Sequence, residues 1–149
     1  MRRKDRERDA GFAWEVFDRA PFAVLCLRDG QGGYGVPVSP ARMGEAVYFH
    51  CAPAGKKLDC LTRWPEVSLT AADPASPACF GVNYRSAVLR GRASLVEDEE
   101  EKREALRAIS RRWCPEDMAD FEEYLAPRLK EVSVCRIDVT EITGKERTP

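Results

Sequence analysis

Tyr84-Arg85-Ser86-Ala87-Val88-Leu89-Arg90-Gly91-Arg92-Ala93-Ser94-Leu95-Val96 decides the fold. From Ser86 to Val96 it reads as one long strand. Ala87, Leu89, Gly91, Ala93 and Leu95 point one way; Ser86, Arg90, Arg92 and Ser94 point the other. A period of two places one face on a core and the other toward solvent. Working back toward the N-terminus, Asp73-Pro74-Ala75-Ser76-Pro77 reads as a mobile loop, and Val67, Leu69 and Ala71 alternate along a second strand. Lys56 to Arg63 fits a short helix with Leu58 and Leu61 facing inward, stopped by Trp64-Pro65.

Earlier still, Ala46 to His50 reads as a strand. Phe22 to Leu27 is an apolar run suited to a strand buried on both faces, and Asp29-Gly30-Gln31-Gly32-Gly33 turns it into a hairpin with Tyr34 to Val38. Pro37 donates no ladder hydrogen bond, so that position belongs at an edge, a bulge or a ligand. An amphipathic helix over residues 4–20 carries Phe12, Ala13, Val16, Phe17 and Ala20 on one face and ends at Pro21. Toward the C-terminus, a helix runs from Asp98 to about Arg112, with acids in its first turn and Leu106 and Ile109 facing inward. A second helical stretch follows Pro115. Ser133 to Ile142 forms a last strand with Cys135, Ile137 and Val139 on one face, and residues 143–149 read as a tail. About six strands, mostly joined by tight turns and not alternating with helices, make the chain mainly β with flanking helices: an antiparallel barrel in one domain spanning residues 1–149.

The 24 basic and 25 acidic side chains leave a net charge of -1, which gives no global attraction to nucleic acid or an anionic membrane. No aromatic stripe is interleaved with basic residues, and no apolar stretch approaches the roughly 20 residues a membrane helix needs. The charged start, Arg2-Arg3-Lys4-Asp5-Arg6, has no signal-type apolar core behind it, so a cytoplasmic location is expected. Six cysteines without a Cys-x-x-Cys pair, and a single histidine, His50, argue for free thiols and against a transition-metal site. Trp14, Trp64 and Trp113 read as packing residues, with one of them available to cover a ligand. The run Glu97 to Glu101 reads as an exposed helix start.

Two constellations carry chemistry. His50-Cys51-Ala52-Pro53-Ala54-Gly55-Lys56-Lys57 places a histidine at a strand end, a glycine turn, and two lysines at a helix start, where free amides and the helix dipole favour an anion. Taken alone, Lys56 and Lys57 read more readily as solvated helix residues than as an anion site. Tyr84-Arg85-Ser86 adds a planar guanidinium fork and a hydroxyl, donors suited to phosphate, or alternatively an ordinary exposed arginine at a strand start. Nothing singles out Cys51 or Cys60, on either side of the lysine turn, as an activated nucleophile.

In order, His50-x-Ala52-x-x-Gly55-x-Lys57, Tyr84-Arg85-Ser86-x-Val88-x-x-Gly91-x-Ala93 and Ile142-Thr143-Gly144-Lys145 resemble the flavin-binding split-barrel proteins related to pyridoxamine 5′-phosphate oxidase. Within that group the chain is most similar to the Nim-type proteins, named for 5-nitroimidazole resistance. The likeness covers nearly the whole chain and includes Tyr34-Gly35-Val36-Pro37-Val38. It implies a six-stranded antiparallel split β-barrel that forms a homodimer with FMN in two interface clefts. Lys57, Arg85 and Ser86 would hold the phosphate, with Gly55, Lys56 and Tyr84 beside them. Val36, Pro37, Val38 and Ser39 would lie along the isoalloxazine ring, with His50 nearby as a candidate catalytic residue. Ser39-Pro40-Ala41-Arg42 stands where relatives more often carry a polar–aromatic pair, and Ala87 replaces a commoner valine.

No nucleophile–base pair emerges, as expected where a flavin supplies the reactivity and the protein supplies orientation. The resemblance thus implies an FMN-dependent oxidoreductase acting on a small molecule, with nitro-reduction of the Nim type as one option. The alternative is a non-enzymatic module that binds flavin, haem or a deazaflavin.

Overall fold

The computed structural model describes residues 2–148. A 3-10 turn (Lys4–Arg6) and strand β1 (Glu7–Arg8) precede helix α1 (Ala10–Arg19). The expected helix over 4–20 therefore begins later. Asp9 caps it by accepting from the Phe12 amide at 2.8 Å, and β1 pairs with the far end of the last strand, Glu7 opposite Lys145. There follow β2 (Ala23–Arg28), β3 (Gly33–Val38), β4 (Ala41–Met43), β5 (Ala46–Cys51), α2 (Lys56–Arg63), β6 (Glu66–Ala72), β7 (Ser76–Ala78) and β8 (Gly81–Leu95). The chain ends with α3 (Glu99–Trp113), a 3-10 turn (Pro115–Asp120), α4 (Phe121–Leu125) and β9 (Ser133–Arg147).

Every pairing is antiparallel, and the main sheet runs β3-β2-β6-β8-β9-β5-β4, with β1 added to β9 and β7 to β8. The two edges, β3 and β4, are consecutive in the chain and joined only by Ser39-Pro40. Three virtual bonds span at most roughly 11 Å from Val38 to Ala41, so the sheet must curl until its edges meet. The result is a barrel closed covalently but not by a ladder, a split barrel. Pro37 lies on edge strand β3, where its missing donor costs no sheet bond.

Seven strands form the main path, against about six expected, because β4 is only three residues long and carries no visible alternation. Other differences have similar causes. β2 buries Ala23, Leu25 and Leu27 and leaves Val24 and Cys26 half-buried, so it is not buried on both faces. Part of the supposed loop at 73–77 is β7, which folds back on β8 through a tight turn at Cys79-Phe80. The stretch 143–147 is not a tail: β9 continues to Arg147, pairing Gly144 with Ala87 and Lys145 with Ser86. Glu101, at the end of the acidic run, turns inward and accepts from Tyr48 Oη and Arg136 Nη1, both at 2.8 Å.

Two apolar clusters result. The barrel interior holds Leu25, Val47, Phe49, Leu69, Ala87, Leu89, Cys135 and Ile137, with Ala13, Val16 and Phe17 of α1 and Leu58 and Leu61 of α2 packed into it. α1 lies against Gly144, beside the start of β8, whereas α2 lies against Ala93 and Leu95 near its finish. The two helices thus plug opposite mouths. On the outer face, Ala41, Tyr48 and Val134 are covered by Leu106 and Ile109 of α3 and by Phe121 and Leu125 of α4. Arg112 locks α3 to the split: it donates to Pro40 O at 2.9 Å, Phe17 O at 2.8 Å and Ala20 O at 3.2 Å. Trp113 Nε1 adds a bond to Pro40 O at 2.9 Å.

Candidate cofactor site

Arg85 projects from the start of β8 toward α1. Its guanidinium lies 3.1 Å from Glu15, 3.1 Å from Asp73 and 3.8 Å from Glu146, and sits 4.6 Å above the Phe12 ring. Hydrogen bonding to Glu15 and the charges of all three carboxylates raise its pKa, so it is a permanent cation. Ser86 Oγ donates weakly to Lys145 O at 3.5 Å. Tyr84 and Arg85, with Arg19 and Arg147, line an open cleft of about 540 Å³ that also contains Asp73. The Arg147 guanidinium passes so close over Gly81 that any Cβ there would overlap it. The Asn83 amide oxygen, in the same cleft, is buried without a partner among the described residues. A ligand with both an anionic end and hydroxyl groups suits this set: three arginines for the anion, an orphan acceptor for a hydroxyl.

The second region lies on the outer face, between β5 and the helices α3 and α4. His50, near the end of β5, and Ser39, in the split, share a mainly apolar cleft of about 450 Å³ with Leu106, Trp113, Tyr124 and Arg128. Of the three tryptophans, Trp113 is the one beside this candidate ring site; Trp14 packs edge-on against Phe17 at 5.9 Å, and Trp64 lies under Arg28 and Arg63. His50 itself is exposed. Desolvation by its neighbours and the Lys57 charge nonetheless push its pKa below the ordinary 6.5. The imidazole is neutral at pH 7, able to donate at one nitrogen and accept at the other.

His50 is the only histidine, so one NMR titration reads it without assignment. We expect a midpoint below 6.5, rising when Lys57 is replaced by methionine; a midpoint at or above 6.5 in the unmodified chain contradicts this environment. The unfolded chain takes up the His50 proton first as pH falls, so the neutral ring's contribution to stability is full above 6.5 and declines below it.

Around the glycine turn the expected residues separate. Gly55 adopts a φ of 129°, a left-handed value suited to glycine, and no side chain caps α2, which leaves its first amides open. Lys57 Nζ lies 5.5 Å from the Phe49 ring centre. Lys56 turns away: it pairs with Asp29 at 2.8 Å and covers the Tyr34 ring at 4.3 Å, bracing the β2–β3 turn. On β3, Val38 is buried in the core, Val36 is half-buried and Pro37 is exposed.

The chain thus places His50 and Lys57 toward the α2 mouth and Tyr84, Arg85 and Ser86 toward the α1 mouth, while Ser39 follows Val38, whose register through Ala23 and Ala71 to Ala87 lies at the Arg85 end. Within one chain the phosphate trio does not converge. Lys57 sits by Phe49, which pairs with Cys135 opposite Leu95. Arg85 is ten residues back along β8, roughly 30 Å of strand. The partners of Arg85 carried no signal in the sequence, because they come from α1, β9 and the segment before β7.

The profile of the pyridoxamine 5′-phosphate oxidase family matches residues 9–146. Among solved structures, a candidate 5-nitroimidazole antibiotic resistance protein from Bacteroides thetaiotaomicron superposes with a TM-score of 0.82 at 26% identity, covering 93% of this chain and 84% of that one. The flavocytochrome Anf3 of Azotobacter vinelandii gives 0.83 at 25% identity, covering 100% and 72%. An FAD and heme binding protein of Mycobacterium smegmatis gives 0.83 at 17% identity, covering 97% and 74%, a likeness of fold alone. No curated protein matches the chain in sequence. A family profile that spans nearly the whole barrel, and structures that share its curled, split sheet, place this chain in the pyridoxamine 5′-phosphate oxidase family.

Proposed function

We propose that this protein is an FMN-dependent oxidoreductase acting on a small molecule, with the cofactor seated between two copies of the chain. The observation that carries this reading is the separation of its two half-sites: an arginine-lined cleft beside the start of β8 and, on the outer face under α3 and α4, an apolar cleft with a neutral histidine. A homodimer that apposes the Arg85 region of one copy to the Lys57–His50 region of the second completes both sites at once by symmetry. Arg85 and Ser86, with Lys57 of the second copy and the open amides of α2, hold the phosphate. Tyr84 and the Asn83 acceptor orient the hydroxylated chain, and Val36 to Ser39 flank the ring. A bound flavin supplies hydride and electron exchange. His50 holds or donates a hydrogen bond to the substrate, and Trp113, Leu106 and Tyr124 exclude water from it.

The substrate cleft is mainly apolar, with His50, Ser39, Ser110, Tyr124 and Arg128 as polar groups at its wall, which suits a flat acceptor carrying a polar substituent; a nitroaromatic of the kind implied by the 5-nitroimidazole resistance relative fits that description. A flavin carrier without turnover is the second reading, because Lys57, Arg85 and Ser86 would hold a phosphate in the same way with or without a reaction. The full chain, titrated with FMN, is expected to show flavin absorbance and to run as a dimer in light scattering. Chromatography of released cofactor separates FMN from FAD. A chain that stays colourless under FMN titration refutes the proposal. Anaerobic mixing with NAD(P)H and a nitroaromatic then separates enzyme from carrier: bleaching and reoxidation mark turnover, and an unchanging spectrum marks a carrier.

A further inference from the structure

We propose that Cys51 and Cys135 form a redox-active thiol pair, in which Cys51 is oxidised by a hydroperoxide and Cys135 resolves it to a disulfide joining β5 to β9. The two residues are 84 positions apart in sequence and meet only through strand pairing. Cys135 stands opposite Phe49, and Cys51 is two residues further along β5, opposite Ser133, so both side chains point to the inner face as diagonal neighbours. Cys51 packs against the same interior cluster that contains Cys135.

Their surroundings differ in the way such a pair requires. Cys51 is half-buried at the last position of β5, while Cys135 is buried and borders a cleft of about 270 Å³ between α2 and the end of β8. Interaction with the Cys135 thiol and the Lys57 charge lower the pKa of Cys51 against its desolvation; interaction with Cys51 and burial raise that of Cys135. Diagonal neighbours stand slightly further apart than a disulfide spans. Closure therefore needs a small shift, and Cys51 can make it because the irregular segment Ala52 to Gly55 follows directly.

The chemistry balances without a cofactor. The Cys51 thiolate attacks one peroxide oxygen, the O–O bond breaks, and the alkoxide takes a proton and leaves as the alcohol, with Cys51 now a sulfenic acid. The Cys135 thiol attacks that sulfur, the S–S bond forms, and the departing hydroxide takes the Cys135 proton as water. Two thiols lose two electrons and the hydroperoxide gains them.

The exposed Cys79 and Cys114 supply an internal control. With the full chain and limiting hydrogen peroxide, peptide mass spectrometry is expected to find Cys51 oxidised at least about tenfold faster than either, as a Cys51–Cys135 disulfide reversed by dithiothreitol. In Cys135→Ala, a dimedone adduct should accumulate on Cys51; in Cys51→Ser, Cys135 should stay reduced. Oxidation led by Cys79 or Cys114, a disulfide to Cys60 instead, or a persistent Cys51 sulfenic acid in the unmodified chain each overturns the proposal. All these readouts are independent of flavin.

Discussion

Replacing Gly91 with alanine is expected to remove about 3–5 kcal/mol of folding stability, a large share of the roughly 5–15 kcal/mol a domain of this size holds. Gly91 sits at the register shift between β8 and β9, opposite Val139. A Cβ there would lie 2.3 Å from Asp138 O and 2.8 Å from Ile137 Cγ2. The first contact is with backbone in the two longest strands, neither of which can retreat without breaking ladder hydrogen bonds. Gly144→Ala provides the contrast. Its nearest contact is the Phe12 ring edge at 2.8 Å, a side chain that can turn, so a cost of about 1–2 kcal/mol is expected. Urea unfolding of the three chains measures this difference. A Gly91→Ala midpoint indistinguishable from the parent, or equal to that of Gly144→Ala, means the strands yield more easily than their pairing implies.

Cofactor affinity should respond as sharply to the two cations proposed to face the phosphate. Arg85→Ala and Lys57→Ala are each expected to weaken FMN binding by about 1.5–3 kcal/mol, one to two decades in Kd. The structure separates them. Lys57 has no acidic partner among the described residues, so its loss subtracts one charge. Arg85 neutralises Glu15, Asp73 and Glu146, and without it those carboxylates face an incoming phosphate directly. Arg85→Ala should therefore fall at the upper end of the range, and Arg85→Lys should recover only part, because an ammonium restores charge without the planar fork. Lys56→Ala, whose ammonium is held by Asp29, should leave affinity near that of the parent. Quenching of flavin fluorescence on binding gives each Kd. If neither Lys57→Ala nor Arg85→Ala changes it, the phosphate lies elsewhere.

What the sequence revealed of this fold follows from where its signals are local. The alternation of Val67, Leu69 and Ala71, the acid-rich start of α3 at Asp98 and the proline on edge strand β3 are each written within a few residues, and each stands where the pattern places it. Boundaries fixed by distant partners were not legible. Glu7-Arg8 is a strand only because Lys145 and Gly144 lie opposite, and Gly144 is tolerated within a strand because α1 presses on it. The candidate site shows the same division. Tyr84-Arg85-Ser86 and His50 to Lys57 announce themselves as short motifs. The carboxylates around Arg85, the outer-face cleft beside His50 and the approach of Cys51 to Cys135 arise from pairings that no window of sequence contains. The motifs also conceal their separation: two phosphate signals in one chain do not imply one phosphate site in that chain.

The two-residue link at Ser39-Pro40 has a thermodynamic consequence. Because β3 and β4 are already tethered, bringing the edges of the sheet together incurs no further loop-closure entropy once the remaining strands have paired. The same seam carries no ladder, so it can widen without loss of any inter-strand hydrogen bond, resisted chiefly by the grip of Arg112 and Trp113 on the Pro40 carbonyl. The barrel is therefore fastened by backbone ladders around its circumference and, along this one line, by a two-residue link and side chains alone.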